Sequence, residues 1–206
     1  MATSTIIRYV TQALLTILQT DLDTNASPQI LPKGKIVAAP PELVATEPDQ
    51  ILILYLYQVL ESPFLRNVGT QAVVQPPSPR SAQQVTVQRD PLALDLYYLL
   101  IPFSKRDDNY LDTYDILGAA MKSFHDHGTF SPGALGVEGL TPEEAQLEFR
   151  LSPNPLSTSD LMRLWEAVNE PYRLSVAYVV RTVLIDSTLS TSGQLASTRN
   201  ITVGQV

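Results

Sequence analysis

His125 and His127 stand in the tripeptide His-Asp-His and are the two histidines of the chain, so any imidazole chemistry would have to run through them. A transition-metal site needs three or four ligands converging on one point. Residues two apart on a helix point to different faces, and no third ligand follows nearby in sequence. The pair therefore reads as the solvated C-terminus of a helix, where an imidazolium suits the dipole, and a metal-assisted hydrolase built on it is the weakest reading. Gly133, Gly136 and Gly139 recur every third residue, which invites comparison with a phosphate loop. Such a loop needs a strand before it, a helix opening directly after it, and a Lys-Ser/Thr pair or the dinucleotide spacing. The sequence supplies none of these, and the stretch reads as a flexible surface loop.

Asp95 is the one ionisable residue inside Leu-Ala-Leu-Asp-Leu-Tyr-Tyr-Leu-Leu. Burial there would raise its pKa or demand a structural partner; a paired or edge-exposed carboxylate is the plainer expectation. Asp112 with Asp115, and Glu143 with Glu144, read as solvated helix and turn charges rather than acid/base couples. No Gly-x-Ser-x-Gly elbow occurs, so a Ser-His-Asp arrangement would rest on chance proximity. Side-chain chemistry thus supports no enzyme, no cofactor and no metal.

The elements that would carry these residues follow from periodicity. Residues 3–19 read as a helix, with Ser4 or Thr5 as cap and Ile6, Val10, Ala13, Leu14, Ile17 and Leu18 at three-and-four spacing. A proline-punctuated connection follows, with a short strand at 35–38. Residues 50–60 and 91–101 read as strands buried on both faces, the second stopped by Pro102; a helix is the alternative at 50–60, and its β-branched and aromatic content argues against it. Between them, Pro76, Pro77 and Pro79 mark an exposed, mobile loop. Asp107 to Asn109 can cap a helix in which Leu111, Tyr114, Leu117, Met121 and Phe124 recur, ending before Gly128. Residues 145–152 alternate as a half-exposed strand, and Ser157 with Asp160 resembles a capping box for a helix up to Pro171.

Residues 171–187 form the longest β-type run. At about 3.3 Å per residue its core, 173–185, would span roughly 43 Å, longer than a strand in a compact domain usually is. Part of it is expected to pair outside its own domain. The order predicts one α/β domain of α+β character: a central, mixed, mostly antiparallel sheet with about three packed helices over residues 1–187. Residues 188–206 are expected to be a flexible tail, or an arm that adds a strand to a neighbour.

With 206 residues, 44% hydrophobic and 17% charged, the chain is globular in composition. It contains no cysteine, which removes disulfides and thiolate chemistry together and suits assembly in a reducing cytoplasm. A net charge of −7 repels phosphate backbones and anionic membranes, so neither nucleic acid nor membrane is an expected partner. Arg8 and Gln12 interrupt the apolar N-terminus, which reads as neither a signal peptide nor a membrane span.

Five blocks in order carry a family resemblance: IIRYVTQALLTILQ (6–19), ILILYLYQVLESPFLRN (51–67), RDPLALDLYYLLIPF (89–103), LGAAMKSFHDHGTF (117–130) and the run LSTSDLMRLWEAVNEPYRLSVAYVVRTVLIDS (156–187). Together they resemble the cap proteins of extracellular contractile injection systems, the phage-tail-like particles of virulence-cassette and antifeeding-prophage type. The resemblance implies a tail-terminator-like fold and a structural role. That role is a homo-hexameric ring on the distal end of the inner tube that touches the last sheath ring, ends tube growth and couples tube to sheath. It implies the inner tube protein and the sheath protein as partners, assembly in the bacterial cytoplasm, and no catalysis. The alternative is a soluble adaptor or chaperone for tube subunits that is not retained in the particle. The family supplies no residue motif, so contact candidates come from exposure alone: Phe64, Leu65 and Arg66; Lys105 and Arg106; and the tail patch Ile201, Thr202 and Val203.

Overall fold

A computed structural model describes residues 4–24, 31, 33–44, 51–63, 72–74, 84–103 and 110–194. Its spine is three long strands, β2 (Ile51–Glu61), β5 (Leu92–Phe103) and β8 (Val176–Ile185), laid side by side as antiparallel neighbours. They lie inside a six-stranded sheet of order β1-β2-β5-β8-β7-β6. Its other members are β1 (Ile36–Ala38), β6 (Thr129–Phe130) and β7 (Phe149–Pro153). Only the β1·β2 pairing is parallel, so the sheet is mixed and mostly antiparallel, as the order of elements predicts.

Both faces of this sheet are covered, which explains why β2 and β5 lack a polar face. On one side α1 (Ile6–Gln19) and α3 (Tyr110–Asp126) pack over Leu52, Leu54, Leu96, Tyr98, Leu100 and Val180. The six residues of the predicted α1 stripe are the six it buries. Each such Leu or Ile contributes roughly 1.5–3 kcal/mol. On the other side α5 (Thr158–Ala167) sets Trp165 against Ile51, Ile53, Leu99, Ile101 and Phe103. Trp165 Nε1 donates to Ser175 Oγ at 3.3 Å, and Ser175 Oγ donates to the Arg173 carbonyl at 3.2 Å. The Arg173 guanidinium lies 4.4 Å from the centre of the Phe103 ring. Ser157 caps α5, accepting from the Asp160 amide at 3.2 Å, as its sequence suggests.

Three expectations change. Pro102 does not end β5: it pairs opposite Leu52. The β5·β8 ladder begins only at Leu100 and Val176, so β5 has β2 alone beside it at Pro102, an edge position that tolerates proline. Residues 145–148 are not strand. A one-turn helix α4 (Pro142–Ala145) precedes β7, opened by Pro142 and by a capping box in which Thr141 N donates to Glu144 Oε2 at 2.9 Å and Glu144 N donates to Thr141 Oγ1 at 3.2 Å. Finally, β8 is ten residues long rather than thirteen, because residues 173–175 are engaged under α5.

The central strands do not stop at the sheet. A second, three-stranded sheet has the order β3-β4-β9, with β3 (Ala72–Val74), β4 (Gln84–Gln88) and β9 (Ser190–Gln194). In sequence β3 follows β2, β4 precedes β5 and β9 follows β8, so this order repeats β2-β5-β8 one level further out. The Arg89 amide donates to the Leu189 carbonyl at 3.1 Å between the β5·β8 and β4·β9 ladders. Gln84–Gln88 falls in no expected element, and Ser190–Gln194 is expected as a flexible tail or as an arm that adds a strand to a neighbour. The alternation Gln-Val-Thr-Val-Gln is the signal for the first; Ser190–Gln194 has no apolar pattern to betray it.

The loop from β6 to α4 is held more firmly than its glycines suggest. Ser131 Oγ donates to the Ala145 carbonyl at 2.8 Å and Tyr9 Oη donates to the Gly139 carbonyl at 2.6 Å. At Gly133 an added Cβ would lie 2.3 Å from the Ala145 oxygen. Gly133→Ala is therefore expected to lower stability by about 1–3 kcal/mol through forced displacement of that backbone. A urea unfolding midpoint equal to that of the wild type would contradict this packing.

Candidate functional site

The histidines sit where the sequence puts them. His125 is exposed in the last turn of α3 and His127 follows the helix. Around them is a Ser-His-Asp trio wired for structure. Ser123 Oγ donates to Asp21 Oδ2 at 2.6 Å, and His127 Nδ1 lies 3.0 Å from the Ser123 carbonyl and 3.4 Å from Asp21 Oδ2. The serine hydroxyl thus points at the carboxylate, not at the imidazole, and Ser123 is buried. A nucleophile needs the reverse connection and an open approach. The trio instead ties the π-helical turn Thr20–Thr24 after α1 to the end of α3. Among the described residues no three His, Cys, Asp or Glu gather as a metal site.

The acidic candidates separate as well. Asp115 is exposed on α3, and Glu143 is exposed on α4. Glu144 is not a solvated turn charge: it is buried in the α4 capping box. Tyr98, at the middle of β5, is fully buried, and Thr11 Oγ1 lies 2.8 Å from its hydroxyl while donating to the Ile7 carbonyl at 2.9 Å. Burial outweighs that hydrogen bond and pushes the phenol pKa well above its ordinary value, so Tyr98 is a neutral core residue.

Asp95 has the most informative placement. The β5·β8 register shifts between Leu94 and Leu96, leaving Asp95 opposite two residues, Arg181 and Thr182. This is a β-bulge, and Thr182 takes a φ of 65°, a left-handed conformation that a β-branched residue rarely adopts. The Thr182 amide, displaced from the ladder, donates to Asp95 Oδ1 at 3.3 Å, while Asp95 itself is only 5% exposed. The carboxylate acts as a substitute for a missing strand acceptor, which is the structural role its sequence context left open.

Beyond this bulge the sheet narrows. The β7 register covers β8 only from Tyr178 to Arg181, and β1 covers β2 only from Leu52 to Leu54. The outer ends of β2, β5 and β8 therefore project as a three-stranded ribbon, with Val59, Leu60 and Leu92 exposed. At its tip lies a recess of about 390 Å³ bordered by Glu61, Arg89, Asp90, Leu92 and Asp186, just before the second sheet begins. The surface suits contact with another protein rather than chemistry. The contact candidates Phe64, Leu65, Arg66, Lys105, Arg106, Ile201, Thr202 and Val203 all lie outside the described residues.

The sequence profile described as the Pvc16 N-terminal domain matches residues 9–199. The chain belongs to that family. Among curated proteins none matches in sequence. Two solved structures share the fold. One is the sheath/tube terminator of the PVC extracellular contractile injection system in its extended state, with TM-score 0.62, 18% identity, and 100% of this chain covering 65% of that one. The other is the tube-terminating cap of the anti-feeding prophage, with TM-score 0.59, 16% identity, and 94% of this chain covering 60% of that one. The chain thus spans less than two thirds of the length of either neighbour. At these identities the likeness is one of fold, and it agrees with the mixed α/β architecture and the tail-terminator-like fold that the sequence implies. These neighbours are named as a terminator and a cap, not as enzymes. No helix among the described residues is long and apolar enough to cross a membrane.

The bulge in this Pvc16 N-terminal domain is directly testable. Asp95→Ala is expected to cost about 1–3 kcal/mol, because it strands a buried amide, whereas Asp95→Asn keeps the acceptor and most of the stability. Thr182→Gly, which relieves the left-handed strain, is expected to stay within about 1 kcal/mol of the wild type. Urea unfolding of the three variants checks the ranking, and equal losses for Ala and Asn at position 95 would contradict it.

Proposed function

We propose that the protein is a structural cap, or tail terminator, of a contractile injection system. It forms a six-membered ring on the distal end of the inner tube, touches the last sheath ring, stops tube growth and couples tube to sheath. The observation that carries this reading is membership of the Pvc16 N-terminal domain family over residues 9–199. The names of the two structural neighbours, a sheath/tube terminator and a tube-terminating cap, support it. The protein assembles in the bacterial cytoplasm and becomes part of the phage-tail-like particle.

The architecture suits such work. A ring that resists a contracting sheath needs a subunit core that does not deform, and a sheet clamped between helices on both faces provides one. Residues 1–187 act as this core. Residues 188–206, whose β9 extends the chain's own second sheet, carry that sheet toward neighbouring subunits, with Phe64, Leu65, Arg66, Lys105, Arg106 and the patch Ile201–Thr202–Val203 as contact residues.

Three experiments test the reading. Peptide mass spectrometry and immunogold labelling of purified particles should place the protein at one end, and deleting its gene should give tubes of irregular length or tubes without sheath. Particles of normal form in the deletion strain would reject the cap role. Ending the chain after Ser187, which removes β9 but leaves β8 whole, should give a folded subunit that no longer joins the particle. Unchanged incorporation would show that the C-terminal residues are not needed for contact.

A further inference from the structure

Arg150 and Arg181 stand directly opposite each other in the β7·β8 register, and both are exposed. Residues so placed have Cβ atoms about 5 Å apart, and like charges there destabilise the sheet. In an acidic chain, with 21 Asp and Glu against 14 Lys and Arg, a counter-ion would be easy to supply. Yet neither guanidinium makes an ion pair among the described residues. Arg150 also forms part of the wall of a cleft of about 340 Å³ between the end of α3 and the β6–β7 edge, beside His125, Thr129 and Tyr178. Two neighbouring exposed guanidiniums fit carboxylates, which an arginine fork binds bidentately.

The same chain presents those carboxylates. Between Lys122 and Arg150 it carries Asp126, Glu138, Glu143, Glu144 and Glu148 without one lysine or arginine. Glu138 and Glu148 are exposed and, like the arginines, make no ion pair among the described residues. We propose that Arg150 and Arg181 bind an adjacent copy of this chain through its acidic segment, with Glu138 and Glu148 as the ligating carboxylates. Each copy then offers both halves of the contact, so a copy can both give and receive it, and a run of such contacts closes into a ring when the rotation allows. A purely isologous contact of the arginine patch would set four like charges together. The inference takes its setting from the cap reading and adds the residues that hold neighbouring subunits.

The test compares four samples at low ionic strength by sedimentation velocity and native mass spectrometry. They are the wild type, Arg150→Glu/Arg181→Glu, Glu138→Arg/Glu148→Arg, and an equal mixture of the two variants. All four altered positions are exposed, and circular dichroism checks that each variant is folded. The wild type should self-associate, and less so as salt is added. Each reversal should weaken association by at least about tenfold, and the mixture should restore it, because unlike charges then face each other. Equal association of the wild type and the arginine variant, association in none of the samples, or a mixture no better than its parts would overturn the inference. Incorporation into particles separates it from the cap reading. An arginine variant found at particle ends like the wild type sinks the inference alone, whereas a wild type absent from the ends sinks the cap reading. A variant that self-associates normally but misses the particle ends would assign the arginines to tube or sheath and likewise overturn the second-copy contact.

Discussion

The ladder between β5 and β8 is the constraint on which the molecule depends. Its middle, from Leu96 to Leu100 opposite Val176 to Val180, lies under helices on both sides, so a shift of one residue would exchange the two faces of the core. Tyr98 belongs with α1 and α3, and Leu99 with Trp165. These side chains differ too much in size and polarity to trade places. Such a register can break only where one face is open, and the bulge at Asp95 and Thr182 sits at that limit. Toward α5 the strands are a core; beyond the bulge they become a projecting ribbon whose order the second sheet repeats.

In the same way, a set of buried and half-buried polar residues serves the backbone. Ser123, His127 and Asp21 join two helix ends, Glu144 closes a turn of helix, and Asp95 replaces a ladder acceptor. Each is held by the hydrogen bond that its position makes necessary. Among the described residues these polar groups fix backbone, and the exposed features include the strand ends at Val59, Leu60 and Leu92 and the Arg150–Arg181 pair. Membership of the Pvc16 N-terminal domain family and the fold shared with a terminator and a cap agree with that character.

Much of the fold was legible because the apolar patterns are long and uniform. The α1 stripe named from spacing is the stripe that is buried, and the two-sided, β-branched and aromatic runs of β2 and β5 are strands under cover on both faces, as the sequence predicts. Ser157 announced α5 because a side-chain oxygen three residues before a helical Asp has a local partner. Legibility failed where a local rule depended on a distant neighbour. Pro102 looks like a strand end until β8 is seen to stop short of it. Residues 145–148 alternate like a strand, yet the capped turn of helix opened by Thr141, Pro142 and Glu144 ends at Ala145, and the strand starts only at Phe149. The glycine-spaced loop looked loose, and Gly133 proved to be a contact point against Ala145.

From residue order alone the chain determined its class, its three principal helices, its central strands and the resemblance that names its family, because these rest on short-range periodicity and on blocks of residues read in line. Tertiary structure alone decided the rest, since pairing register joins residues far apart in sequence. It turned Ser190–Gln194 from tail into strand, gave the buried Asp95 an amide to accept from, and set Arg150 opposite Arg181. No local pattern encodes those neighbours; they exist only once the long strands have aligned.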